Sequence, residues 1–317
     1  MKNTILTLSL IILCSNQFFA QSAPEYDTLS IGNIRQVVSY SGSKDAPLIL
    51  FLHGGPGSSR MKQAPQFTNL LEKNFLVVQW DQRETARTLA LNKSDVPITL
   101  ELMENDTYEL IRILLTKFNQ QKLYLVGESW GTVLGFKMAG KHPDLLHAYL
   151  AFSPVINQSK SEELLLEELK RDAKEKQNSL ALTELNRIRI PFENYQQLYY
   201  SRKWMFNYDG TPFADKDTAT VKQYLQNWSE TWLPTWNQAI RQNGFTDLPQ
   251  ISCPVYFFIG EKDLQTNAGI AKEYFALLKA PRKDIFLFKD AGHSVLTEKS
   301  EEVQKLILEL RTTSKRK

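Results

Sequence analysis

Cysteine is nearly missing from this chain, with two in 317 residues, Cys14 and Cys253. So few exclude a disulfide-built scaffold and any paired-cysteine metal site. Histidine is as scarce: the four residues are scattered, no H-E-x-x-H spacing occurs, and no metal or other cofactor is implied. An excess of one charge is lacking too. The formal net charge of +3 is too small to draw nucleic acid, and no basic helix alternates with aromatics. The basic residues 311–317 read as a solvated tail. Long apolar runs are also absent, and the one at the N-terminus is too short for a comfortable membrane span. There Lys2 supplies a positive start, residues 5–13 an apolar stretch and Phe19-Ala20-Gln21 a cleavage point. Residues 1–20 therefore read as a signal peptide, and the mature protein as exported, periplasmic or secreted, without stable membrane association. An uncleaved anchor, or one lipidated at Cys14, is the alternative. After cleavage Cys253 stands alone, reads as buried and inert, and leaves stability to the core.

What is present is a globular composition, 42% apolar and 23% charged. Residues 34–40 read as an early strand pairing at the sheet's edge. Six apolar runs follow, at 47–52, 75–80, 122–126, 148–152, 254–259 and 284–288, as strands covered on both faces should look. Helical patterns at 61–72, 99–118, 132–141, 268–278 and 300–310 alternate with them. The alternation predicts an α/β fold, a doubly wound and mostly parallel sheet with its functional loops at the carboxyl ends of the strands. The gap from 153 to 243 is too long for a crossover. It reads as a helical cap inserted into a catalytic domain made of residues 21–152 and 244–317. Its glutamates from Glu162 to Glu168 read as a solvated helix face, and Trp204, Trp228, Trp232 and Trp236 chiefly as cap core.

The most informative stretch is Gly127-Glu128-Ser129-Trp130-Gly131, between a strand-like run and a helical one. Strand, sharp turn and helix with serine at the apex is the context of a G-x-S-x-G nucleophile elbow. Glycines two positions either side of the serine allow its strained backbone to fit between neighbouring elements. A serine needs a base. His53 lies in His53-Gly54-Gly55-Pro56-Gly57, a placement suited to an oxyanion loop. His142, before Pro143, suits a helix end, and His147 enters a strand. His293, in Gly292-His293-Ser294 after the last strand, remains as the base. The acid that orients it is Asp263 in Gly260-Glu261-Lys262-Asp263, with Glu261 as its rival. Ser129, Asp263 and His293 each follow a strand of their own.

Together with Asp81-Gln82-Arg83, these motifs resemble the proline iminopeptidase family of α/β-hydrolases. The match runs from about residue 32 to the C-terminus and is weak in the middle. The resemblance implies hydrolysis of an acyl bond, commonly release of an N-terminal residue, often proline, from a short peptide. It also implies an oxyanion hole from the backbone N–H of Trp130 and that of Gly55 or Gly54, with Gly55 preferred. One departure stands out: Glu84 and Ala86 occupy positions where the family has a glycine-rich turn. Either that loop is rebuilt or Glu84 takes a local partner such as Arg87. Asp81 and Arg83 read as a structural salt-bridge cluster.

Substrate choice divides the readings. An aminopeptidase needs a carboxylate to hold a protonated amine, and Glu230, in Trp228-Ser229-Glu230-Thr231-Trp232, and Glu193 are the candidates. Without such an anchor the same residues suit an ester, lactone or amide. A third reading, from a different class, is a ligand-binding relative without turnover. The expected partner is a small molecule or short peptide, and nothing here fixes the oligomeric state.

Overall fold

The computed structural model describes residues 23–211 and 218–314. The signal-peptide reading of residues 1–20 lies outside the described residues. The described residues form eight strands: β1 (Glu25–Ile31), β2 (Ile34–Ser41), β3 (Leu48–Leu52), β4 (Leu76–Asp81), β5 (Leu123–Glu128), β6 (Leu146–Phe152), β7 (Val255–Gly260) and β8 (Lys283–Phe288). They make one sheet in the order β1-β2-β4-β3-β5-β6-β7-β8. β3 to β8 are parallel, whereas β2 runs antiparallel to both β1 and β4. The chain passes from β3 to β4 on one side and returns to β5 on the other. That reversal opens a crevice at the carboxyl ends of β3 and β5.

The helices are α1 (Pro65–Thr68), α2 (Ala86–Leu91), α3 (Leu100–Lys117), α4 (Trp130–Lys141), α5 (Gln158–Glu175), α6 (Ser179–Leu185), α7 (Tyr195–Tyr208), α8 (Thr218–Ile240), α9 (Gly244–Asp247), α10 (Ala268–Leu277), α11 (Val295–Glu298) and α12 (Ser300–Ser314). The period of two along the strands divides the core. Leu48, Leu50 and Leu52 of β3 pack with Leu110 and Leu114 of α3 and Val133 of α4. Ile49 and Phe51 face the other way, with Phe67 of α1 and Val303 and Ile307 of α12. Sheet residues buried on both faces explain the continuous apolar runs. Among the described residues no helix is long and apolar enough to cross a membrane.

Several expectations need correction. The helix expected over 61–72 shrinks to the four residues of α1, because Pro65 has no N–H with which to extend it backwards. β8, a sheet edge, is only partly covered: Ile285 and Phe286 are half-buried against opposite faces of the core, and just Phe288 in it is buried. The strand at 34–40 is not the edge: β1 lies outside it, joined through Gly32 and Asn33, both in the left-handed region at φ 57° and 62°. That is the backbone of a tight two-residue hairpin.

The four helices α5 to α8 lie between β6 and β7, and the ends of this insertion meet where Asn157 bridges Asn243. α8 is fastened to the loop after β3 by Trp228 Nε1, which donates to Pro56 O at 2.8 Å. Just beyond the carboxyl end of β4 a buried ion pair joins three segments. Arg83 Nε and Nη2 donate to Asp106 Oδ2 and Oδ1 at 2.9 and 3.0 Å, and Nη2 also reaches Gly32 O at 2.8 Å. Both side chains are 0% exposed, so removing one partner strands the other charge. Asp106→Ala is expected to lower unfolding free energy in urea by about 3–5 kcal/mol. A loss below about 1 kcal/mol would contradict the role given to the pair.

Candidate active site

β5 leads directly into α4, and Ser129 stands at the junction with φ 51° and ψ −118°. The turn is tight enough that a Cβ on Gly131 would lie 2.0 Å from Leu52 O, and one on Gly127 2.7 Å from Gly131 O. Only glycine permits both approaches. The Ser129 hydroxyl does not cap α4. It is instead 2.9 Å from His293 Nε2.

His293 arrives on the loop after β8. Its Nδ1 lies 3.0 and 2.9 Å from Asp263 Oδ1 and Oδ2. Ser153 Oγ donates to His293 O at 2.7 Å and holds that loop against the end of β6. The loop comes so close to β7 that a Cβ on Gly260 would lie 2.0 Å from Gly292 O. Asp263 also accepts from the N–H groups of Gln265 and Thr266, at 2.8 and 2.9 Å, and from Thr266 Oγ1 at 2.7 Å. Glu261, the rival acid, is exposed and pairs with Lys272 at 3.5 Å.

The electrostatics favour an ionised acid beside a basic imidazole. Burial disfavours charge on Asp263, but the facing His293 and the Thr266 donors outweigh it and hold the carboxyl below its ordinary value. Burial likewise opposes protonation of His293, yet Asp263, helped by Glu128, raises it above the usual histidine value, and Arg202 offsets part of the rise. His53 differs. Buried without a carboxylate, its pKa is pushed down to about 4 and its ring is neutral.

Gln82, to which sequence reasoning gave no role, joins the start of α4 to the loop after β3. Its Oε1 accepts from Trp130 Nε1 at 3.0 Å, and its Nε2 donates to His53 O at 3.3 Å. Gly54 lies beside Ser129, since a Cβ there would be 3.3 Å from Ser129 Cβ. Gly55 borders the same cavity as Ser129 and His293. The chain after Arg83 keeps a backbone suited to glycine without having it: Glu84 and Ala86 have φ of 54° and 38°. Glu84 does take a local partner, but it is the Ser94 N–H and not Arg87, whose guanidinium stacks 4.2 Å from the Tyr26 ring centre.

Above Ser129 is a cavity of about 630 Å³, walled largely by apolar residues of α7 and α8 such as Leu198, Phe206 and Trp228. The two glutamates considered for an amine are not in its wall. Glu230 is exposed and accepts from Gln226 at 3.3 Å; Glu193 is exposed and accepts from Gln197 at 3.0 Å. Each lies on the solvent side of its segment. Among the described residues no aspartate or glutamate lines the cavity, and its one fixed cation is Arg202. Arg202 pairs with Glu162, which is 2% exposed and so departs from the expected solvated helix face. Trp204 packs inside the insertion and Trp232 against Trp130 of α4, whereas Trp228 and Trp236 reach the cavity. Among the described residues no group of three His, Cys, Asp or Glu side chains is placed to hold a metal.

The chain is 29% identical over 284 residues to the probable aminopeptidase YbaC of Bacillus subtilis, spanning 84% of this chain and 89% of that one. It is 22% identical over 266 residues to the proline iminopeptidase of Heyndrickxia coagulans, spanning 80% of this chain and 86% of the relative. The crystal structure of the proline iminopeptidase of Mycobacterium smegmatis superposes with a TM-score of 0.65, covering 92% of this chain and 99% of that one. At 16% identity that last likeness is one of fold. The family model described as alpha/beta hydrolase fold matches residues 47–300, which include all of the site above, and the chain belongs to that family.

Proposed function

We propose that the protein hydrolyses a small acyl substrate through a covalent ester on Ser129. The observation that carries the reading is the run of hydrogen bonds from Ser129 Oγ through His293 to Asp263, opening into the cavity. Ser129 Oγ attacks the carbonyl carbon while His293 Nε2 takes its proton. The oxyanion is held by the N–H of Trp130, unpaired in the first turn of α4, and by that of Gly55 or its neighbour Gly54. His293 then protonates the leaving group, whose bond to the acyl carbon breaks. Water, deprotonated by His293, attacks the ester and releases the acid. Asp263 stays ionised throughout and stabilises the imidazolium.

Release of an N-terminal residue from short peptides is the substrate reading supported by the names of the relatives. The cavity's lack of a described carboxylate favours a second reading, an esterase, lactonase or amidase indifferent to a free amine. Export belongs to the proposal on the pattern of residues 1–20. The N-terminus of the mature protein tests that part, since retention of Met1 would contradict it.

Hydrolysis of a prolyl arylamide, its N-acetylated twin and a simple aryl ester separates the two substrates. Cleavage of the free-amine compound alone is the aminopeptidase result; ester cleavage, or indifference to acetylation, is the second reading. Ser129→Ala is expected to lose roughly 4–6 orders of magnitude in kcat, and turnover near wild type would remove Ser129 from the mechanism. The base works only when neutral and its pKa is raised. Activity should therefore fall with decreasing pH from a midpoint above ~6.5, and Asp263→Asn should move a residual midpoint downward. A wild-type midpoint at or below that value would contradict the coupling.

A further inference from the structure

The apolar wall of the cavity is interrupted by one charged cluster. Arg202 Nη1 donates to Glu162 Oε2 at 2.9 Å and Nη2 to Glu162 Oε1 at 2.5 Å, so the carboxylate takes the guanidinium end-on. Nη1 also donates to Ser201 Oγ at 3.0 Å. Gln158 Nε2 steadies the carboxylate at 3.1 Å from Oε1 and is itself held by Gln265 O at 2.7 Å. A guanidinium has five N–H groups in a fixed plane. Among the described residues three are used, and the Nε–H and the second Nη2–H are left, side by side along one edge. That edge is a fork whose spacing matches a carboxylate.

The cluster faces the reaction centre. Arg202 lines the cavity with Ser129 and His293, and its charge is felt at the imidazole. Its side chain keeps 13% exposure against 1% for Glu162, so the cation is the member turned towards the cavity. A pair serving only to fasten α5 to α7 has no need to present its cation there.

We propose that the free edge of Arg202 binds a carboxylate on the substrate, making the enzyme selective for acyl compounds that carry a free acid. The inference rests on the Ser129 reading for its chemistry. Two sources offer the same group: the acyl part, as in a half-ester of a dicarboxylic acid, and the leaving group, as in a dipeptide.

Two substrate pairs tell them apart: Pro-Gly against its C-terminal amide, and the 4-nitrophenyl half-ester of glutaric acid against the corresponding methyl ester. In at least one pair kcat/KM should favour the acid by about tenfold or more, as a charge-assisted fork would give. Arg202→Gln should bring that ratio to about one. Glu162→Gln should raise it, because the guanidinium is no longer neutralised, whereas loss of a purely structural pair would slow acid and neutral substrates alike. If Arg202→Gln fails to fold with Glu162 left unpaired, the double variant Glu162→Gln/Arg202→Gln replaces it. Equal use of acid and neutral forms in both pairs, or a preference that survives loss of Arg202, overturns the proposal. Calorimetric binding of Pro-Gly and monomethyl glutarate, each against its uncharged analogue, to Ser129→Ala protein reads the same site without turnover. Acid-selective binding there without hydrolysis by the wild type would keep the Arg202 site and sink the Ser129 mechanism. Hydrolysis without acid preference in either assay would do the reverse.

Discussion

Ser129 keeps a backbone conformation that residues with side chains avoid, φ 51° and ψ −118°, because three chain segments close around it. Its N–H is held by Phe152 O at 2.9 Å, from the neighbouring strand β6. Gly131 allows α4 to start against the end of β3, with no room for even a methyl group beside Leu52 O. The strain stays local and is opposed by the surrounding sheet, buried on both faces over most of its width. Its consequence is geometric. The hydroxyl projects past the sheet's edge with the first turn of α4 behind it, in a crevice that the strand order had already opened.

The surrounding groups fix what that geometry can do. Asp263 is saturated with donors, so its charge is stable in a buried place and its orientation is fixed. Through it His293 becomes a stronger base than an isolated imidazole. Gln82 plays the corresponding part on the other flank, tying the Trp130 side chain to the backbone at His53 in a site where all three are buried. The inserted helices complete the enclosure. Trp232 and Trp236 pack at 6.5 and 6.3 Å from Trp130, so the cavity wall and the serine turn rest on the same aromatic cluster.

Much of this was legible in the sequence because it is local. Strand, turn and helix around Ser129 carry their periodicity and glycines within twenty residues, and the loops bearing Asp263 and His293 each end an apolar run. β1 was missed although Gly32-Asn33 between two alternating segments is a hairpin signal; its exposed residues carry little hydrophobic pattern. The cavity's polar wall was not legible. Glu162 and Arg202 are 40 residues apart in the chain, and their pairing depends on how two helices pack. Nothing in the local text separates Glu162 from the solvated glutamates beside it. Glu230 misled in the opposite way: it sits among tryptophans in sequence, but helical geometry turns Trp228 to the cavity and Glu230 to solvent. The positive φ at Glu84 and Ala86 is a backbone suited to glycine but carried without it, held in part by the contact of Glu84 with Ser94.

In the proposed reaction Ser129 forms a covalent bond to the acyl group. Intact-mass spectrometry after treatment with a small aryl phosphonate, followed by peptide mapping, tests it without knowledge of the natural substrate. One adduct per chain is expected, on the peptide holding Ser129, with labelling slowed in His293→Ala and abolished in Ser129→Ala. An unlabelled protein, or an adduct elsewhere while Ser129 stays free, would contradict it.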